Sequence, residues 1–240
     1  MKQPCDVAEV LALVARDPGR PRITWYGPDE RIELSGAVLS NWIAKTTNLL
    51  VEEFDAGPGV RIALDLPPHW RTVVWALATW RAGACVGAGT GAEVVVTDRP
   101  ESHVETAQLV AVALPGLARR FDGELPVGAM DGAQAVMTYG DVIGWAPEAS
   151  PGSAALAADG VTVAHDDLVR WAIAGSDAPV GARVLLEAGA EAFGLLRTVL
   201  GVLARDGSVV LLGPSVAAEL AVDAARRERL VASERGTAIA

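Results

Sequence analysis

Apolar positions recur at a period near 3.6 in some stretches and alternate in others, and each change of period marks a new element. Val7–Ala15 (VAEVLALVA) carries a helical apolar stripe and is closed by Asp17, Pro18 and Gly19. Arg22–Tyr26 and Glu30–Leu34 read as short strands about Gly27, Pro28 and Asp29, residues that favour a hairpin turn. Ser35 is placed to N-cap the next helix, in which Val38, Leu39, Trp42, Ile43, Thr46, Leu49, Leu50 and Phe54 share a face. Gly57, Pro58 and Gly59 end it.

The strongest pattern lies in residues 59–87. Val60, Ile62, Leu64 and Leu66 alternate, so Arg61–Leu66 is a strand, and Pro67 and Pro68 stop it. His69–Arg81 follows as a helix. Trp70, Val73, Val74 and Leu77 recur on one side while Trp75, Ala76, Ala78 and Trp80 fill the others. A helix apolar nearly all round belongs inside a layered α/β domain. Gly83 ends it and Ala84–Gly87 is a second strand, which makes a βαβ crossover. Downstream, Glu93–Thr97 and Leu109–Leu114 read as strands and Pro115–Phe121 as a short helix. Residues 122–152, rich in Gly, Pro and acidic side chains, read as a connection between sheet regions. A second βαβ unit follows in Arg183–Leu186, Ala192–Leu203 and Ser208–Leu212, then a terminal helix, Val216–Arg229. Its basic end, Arg226, Arg227 and Arg229, suits a C-terminal dipole and reads as a solvated helix end. The fold class is α/β, a layered sheet with βαβ crossovers in a single domain over residues 1–240.

Composition narrows the chemistry. Hydrophobic residues make up 51% of the 240, enough for a substantial core. The net charge of −10 argues against a nucleic-acid partner. Lysine occurs only as Lys2 and Lys45 while arginine is common, the signature of a GC-rich bacterial source such as an actinobacterium. No apolar stretch reaches membrane-spanning length and no signal pattern opens the chain, so a cytoplasmic protein without membrane contact is expected. Cys5 and Cys85 are not expected to pair, and Cys85 reads as a core residue. His69, His103 and His165 are isolated in sequence, so no metal site is visible. The glycines from Gly87 to Gly91 lack the following helix that a dinucleotide fingerprint requires and read as a connection between strands.

The run GVRIALDLPPHWRTVVWALATWRAGA, with IELSGAV before it, resembles the N-terminal core of the adenylate-forming superfamily of acyl-CoA synthetases, luciferases and peptide-synthetase adenylation domains. Thr97 and Asp98 fit the end of a further family strand, with the preceding insertion trimmed. Arg183–Leu186, Phe193 and Gly194, and the strand at 208–212 follow its later motifs. Relatives hold the ATP phosphates in a Ser/Thr/Gly-rich loop that ends in Lys-Gly. Small residues there let backbone N–H groups and hydroxyls converge on the polyanion, and the lysine adds charge. This chain keeps Gly160, Val161, His165, Asp167 and Leu168, but the hydroxyl-rich part is missing and Asp159 stands in the lysine's place. Losing two or three charge-assisted hydrogen bonds costs about 3–9 kcal/mol at about 1.5–3 each.

The resemblance implies a vestigial phosphate-loop region at Asp159, Gly160, Val161, Thr162 and His165, and a vestigial acyl pocket at Glu191, Phe193 and Gly194. His165 would border the nucleotide pocket. The alternative, which we favour, is a strand-to-helix corner residue bonded to backbone, with Asp166 or Asp167 capping the helix. The resemblance reaches only the N-terminal portion of a full-size relative. The family's adenine, ribose and catalytic-lysine elements have no counterpart here. The expectation is a degenerate, non-catalytic member without a cofactor, kept for ligand binding or for association with a protein partner or a second copy. The alternative is one half of a split acyl-adenylate-forming ligase, using ATP and magnesium once another chain completes it.

Overall fold

A computed structural model describes residues 3–89, 91–103, 108–158, 160–187, 192–236 and 238–239. In chain order, α1 (Val7–Ala15), β1 (Pro21–Tyr26), β2 (Arg31–Ser35) and α2 (Gly36–Phe54) are followed by β3 (Arg61–Asp65), α3 (Trp70–Arg81) and β4 (Cys85–Gly87). Next come β5 (Val94–Thr97), β6 (Leu109–Ala111), β7 (Met130–Asp131), α4 (Gly132–Val136), β8 (Ala154–Ala158) and β9 (Val161–Ala164). Then α5 (His165–Ala174), β10 (Arg183–Glu187), α6 (Ala192–Ala204) and β11 (Ser208–Leu212) lead to α7 (Pro214–Val222), α8 (Ala224–Ser233) and β12 (Ala238–Ile239).

Two compact units share the chain, one from Met1–Ser40, Pro67–Val73 and Val169–Ala240, the other from Asn41–Leu66 and Val74–Leu168. The first holds a sheet in the order β12-β10-β11-β1-β2, parallel except for β2. The second holds β7-β6-β5-β3-β4-β8-β9, parallel except for β9. Hairpin, helix, strand, helix, strand occurs twice, first as β1–β2, α2, β3, α3, β4 and again as β8–β9, α5, β10, α6, β11. In each copy the hairpin joins the sheet that the other copy's crossover builds, because β1 pairs with β11 and β8 with β4. The five-stranded sheet therefore draws on two distant segments, whereas every strand of the seven-stranded sheet lies between Arg61 and Ala164.

Local sequence explains most of the elements. Asp6 caps α1 by accepting from Glu9 N at 2.7 Å, and Val7, Val10, Leu13 and Val14 turn inward. Ser35 Oγ accepts from Val38 N at 3.3 Å, the N-cap that the sequence predicts. Gly36 is obligatory there, because a Cβ would lie 2.5 Å from the Asp17 carbonyl. Every residue of α3 from Trp70 to Trp80 is buried. Its threonines are satisfied internally, Thr72 Oγ1 donating to Pro67 O and Thr79 Oγ1 to Trp75 O. The helix ends in a Schellman motif, Ala84 N to Thr79 O and Gly83 N to Trp80 O, with Gly83 at φ +77.

Three expectations fail. Pro115–Phe121 forms turns; seven residues beginning Pro-Gly cannot offset helix nucleation without a packed face. Residues 122–152 contain β7 and α4, which Asp131 caps by accepting from Ala133 N and Gln134 N. The stretch after α4 lies on α2, where Lys45 Nζ donates to Tyr139 O and Asn48 Nδ2 donates to Gly140 O and Val142 O. The terminal helix is two helices broken at Asp223 (φ −125, ψ 82), whose side chain accepts from Arg226 N at 2.8 Å. Arg226, Arg227 and Arg229 thus open α8 and do not close a longer helix. Arg226 pairs with Glu219 and Arg227 with Glu187.

Because α3 has no exposed face, Val73→Asp or Leu77→Asp, each replacing a residue that is 1% exposed, should destabilise the protein by about 3 kcal/mol or more. Urea melts check this; a parent-like midpoint would show that the helix is not packed.

Candidate functional site

The family's phosphate loop would lie between β8 and β9. Ala158 pairs with Val161, Ala157 with Thr162 and Leu156 with Val163, so residues 159 and 160 alone join the strands. Gly160 supplies the positive φ, +75, that a two-residue hairpin needs. Val161 and Thr162 are exposed on the edge strand. Asp159 lies outside the described residues. Two residues cannot present the run of converging N–H groups and hydroxyls that a polyphosphate requires.

His165 is the first residue of α5 and only 7% exposed. Burial lowers its pKa, although backbone hydrogen bonds to Ala84 and Gly83 oppose the shift, and Nε2 has no partner. It is a buried corner histidine. Asp166 and Asp167 stand in the helix's first turn and do not precede it, so neither is the N-cap; there they favour the positive end of the dipole. Phe193 and Gly194 begin α6, in the unit that does not hold β8 and β9. Phe193 is half-buried and Gly194 exposed, while Glu191 lies outside the described residues.

The other histidines and the cysteines also find places. His69 is buried edge-on to Trp25, ring centroids 4.4 Å apart, and burial, with the charge of Arg71, pushes it down to about 3. Arg71 is itself buried over the Trp70 ring, and burial pushes it down to about 10. His103 Nε2 lies 2.9 Å from Asp65 Oδ2 at the end of β3, where Asp65 also accepts from Thr97 Oγ1 and Arg99 Nη2. Burial alone would raise the Asp65 carboxyl, but the His103 and Thr97 hydrogen bonds and the Arg99 charge hold it low. Cys5 is exposed and Cys85 buried, and neither is in a disulfide. Among the described residues no group of three or more His, Cys, Asp or Glu side chains could hold a metal ion, and no helix is long and apolar enough to cross a membrane.

The densest charge network escaped the sequence reading. Glu234, the C-cap of α8, is 8% exposed and accepts from Arg31 Nε at 2.9 Å, from Tyr26 Oη and from Arg183 Nη2. Arg183 Nε also donates to the Glu234 carbonyl, and its Nη2 to Thr24 Oγ1. Burial works to raise the Glu234 carboxyl; the hydrogen bonds from Arg31, Tyr26 and Arg183 outweigh it and push it down to about 2. Burial and the Glu234 carboxylate together raise Tyr26. Arg31 and Glu234 are 203 positions apart, so no local pattern could have joined them.

No family model matches the chain. A Mycobacterium tuberculosis protein described as a TIGR03089 family protein is 37% identical over 207 residues, 75% of this chain and 84% of that one. Among solved structures, an acyl-CoA synthetase from Brucella canis aligns with a TM-score of 0.64 at 20% identity, covering 86% of this chain and 46% of its own. An amide bond synthetase from Marinactinospora thermotolerans aligns at 0.67 and 16%, covering 97% and 48%. A fatty acid AMP ligase from Legionella pneumophila aligns at 0.67 and 12%, covering 99% and 44%. The fold is that of the N-terminal part of adenylate-forming enzymes, and the chain spans under half the length of these solved structures.

A carboxyl group with a depressed pKa contributes stability above its unfolded value, and that contribution fades as pH falls toward the folded one. Glu234→Gln should therefore cost about 2–3 kcal/mol at pH 7. It should also flatten the loss of stability between the ordinary value of 4.5 and about 2. Thermal melts across that range check it; equal melting temperatures at pH 7 would contradict it.

Proposed function

The chain belongs to the TIGR03089 family, and we propose that it is a non-catalytic, adenylate-forming-like protein retained for ligand binding or protein association. The observation that carries this reading is the two-residue β8–β9 connection. Attack on an α-phosphate depends on positioning and electrostatic stabilisation of the polyphosphate. A hairpin closed by two residues offers neither, and in the sequence its first residue, Asp159, brings a carboxylate where the superfamily has a lysine. On this reading Asp159, Gly160, Val161, Thr162 and His165 are remnants of the phosphate site. Glu191, Phe193 and Gly194 are remnants of the acyl pocket. The protein needs neither ATP nor magnesium and works in the cytoplasm.

One observation favours a second reading, a split ligase completed by another chain. Leu117, Val127, Met137, Val142 and Trp145, all in the second unit, are between 56% and 108% exposed. Large apolar side chains left in solvent are what an absent partner would cover. This reading expects pull-down from a native lysate to retain a second superfamily-like subunit that carries the adenine, ribose and lysine elements.

The isolated protein should give pyrophosphate exchange no higher than a heat-killed control across a panel of carboxylic acids. Asp159→Lys should not restore it, because the missing hydroxyls and amides stay missing. Signal well above the control with the chain alone would refute the non-catalytic reading.

A further inference from the structure

A groove of about 500 Å³ opens in the first unit between the β1–β2 turn and α8, far in sequence from every residue of the vestigial sites. Its volume falls in the range of small-molecule sites. Tyr26, Val216 and Leu230 form its apolar part, and all three belong to or pack against the core cluster of Leu185, Val210, Leu212 and Leu220. Arg31, Arg226 and Arg229 line it with their charges.

Two observations point to the charge of the occupant. The chain as a whole carries −10, yet the groove sets three arginines against two acids, Asp29 and Glu30. Glu30 is already engaged, accepting from Trp25 Nε1 at 3.1 Å. Arg31 is held by Glu33 and Glu234 and Arg226 by Glu219, whereas Arg229 makes no ion pair or side-chain hydrogen bond among the described residues.

We propose that this groove binds a small organic anion, with an aromatic-sized apolar body on Tyr26, Val216 and Leu230 and a carboxylate or phosphate on Arg229 and Arg226. This deepens the binding role proposed above by naming a site and a ligand class. A free oxyanion would not use the apolar part, and an uncharged aromatic would not use the arginines. The groove therefore reads both halves of such a ligand. Its volume suits one small molecule better than a length of acidic peptide.

Calorimetry on the full chain tests this with phenyl phosphate, benzoate, inorganic phosphate and benzyl alcohol. At least one aryl anion should bind saturably with Kd at or below about 1 mM. The tighter of the two identifies the oxyanion. Inorganic phosphate and benzyl alcohol should bind at least about tenfold more weakly. Arg229→Gln, an exposed change expected to melt like the parent, should weaken the aryl anion by about tenfold or more. Arg229→Lys should restore part of the loss, and Arg119→Gln, an exposed arginine outside the groove, should leave binding unchanged. Two results would overturn the proposal: no saturable binding of either aryl anion, whether or not a polyglutamate peptide is retained, or equal effects of Arg229→Gln and Arg119→Gln. Pyrophosphate exchange reads none of these, so failure here is distinguishable from failure of the non-catalytic reading.

Discussion

A helix without a polar face must be covered on every side, and α3 imposes that demand on the chain. Its residues from Trp70 to Trp80 are all buried, including Arg71, Thr72 and Thr79. The two threonines return their hydroxyls to nearby carbonyls, and Arg71 keeps its charge over an indole ring. Unpaired polar groups in such a place cost several kcal/mol, so these local solutions make burial tolerable. The strands on either side follow from it. β3 and β4 are joined by this helix and are parallel because a crossover returns the chain to its starting edge.

The second constraint is the exchange of hairpins between sheets. β1 pairs with β11 although Ile23 and Val209 are far apart in sequence, and β8 pairs with β4. Loop closure must come before such contacts stabilise anything, so folding is expected to be slow and cooperative across the whole chain. A scaffold of this kind can persist without the superfamily's chemistry. The β8–β9 hairpin is needed as the edge of the seven-stranded sheet whether or not its turn grips a phosphate. A turn as short as two residues is compatible with the register of Leu156 with Val163.

Much of the fold was legible in the sequence, because α1 and β3 keep one period from end to end and α3 and β11 are largely apolar runs bounded by turn residues. Of the β8–β9 turn the sequence showed only the missing hydroxyl-rich loop before Gly160, not the antiparallel pairing of the strands around it. The break at Asp223 was hidden by apolar spacing that continues across it; the clue was an acid followed three residues later by the amide it caps. α4 was hidden by its length, five residues. The Glu234 network could not be seen at all, because its partners come from the β1–β2 hairpin (Tyr26 and Arg31) and from β10 (Arg183), both far from it in sequence. The groove beside it was hidden for the same reason, as its lining comes from the β1–β2 turn, α7 and α8.

The proposed reading requires that this scaffold does not hold a polyphosphate. Titration calorimetry of the intact chain with ATP and magnesium tests it most directly. The account predicts no saturable heat up to about 1 mM nucleotide. Magnesium-dependent, saturable uptake with a Kd of about 10 μM or tighter would contradict it.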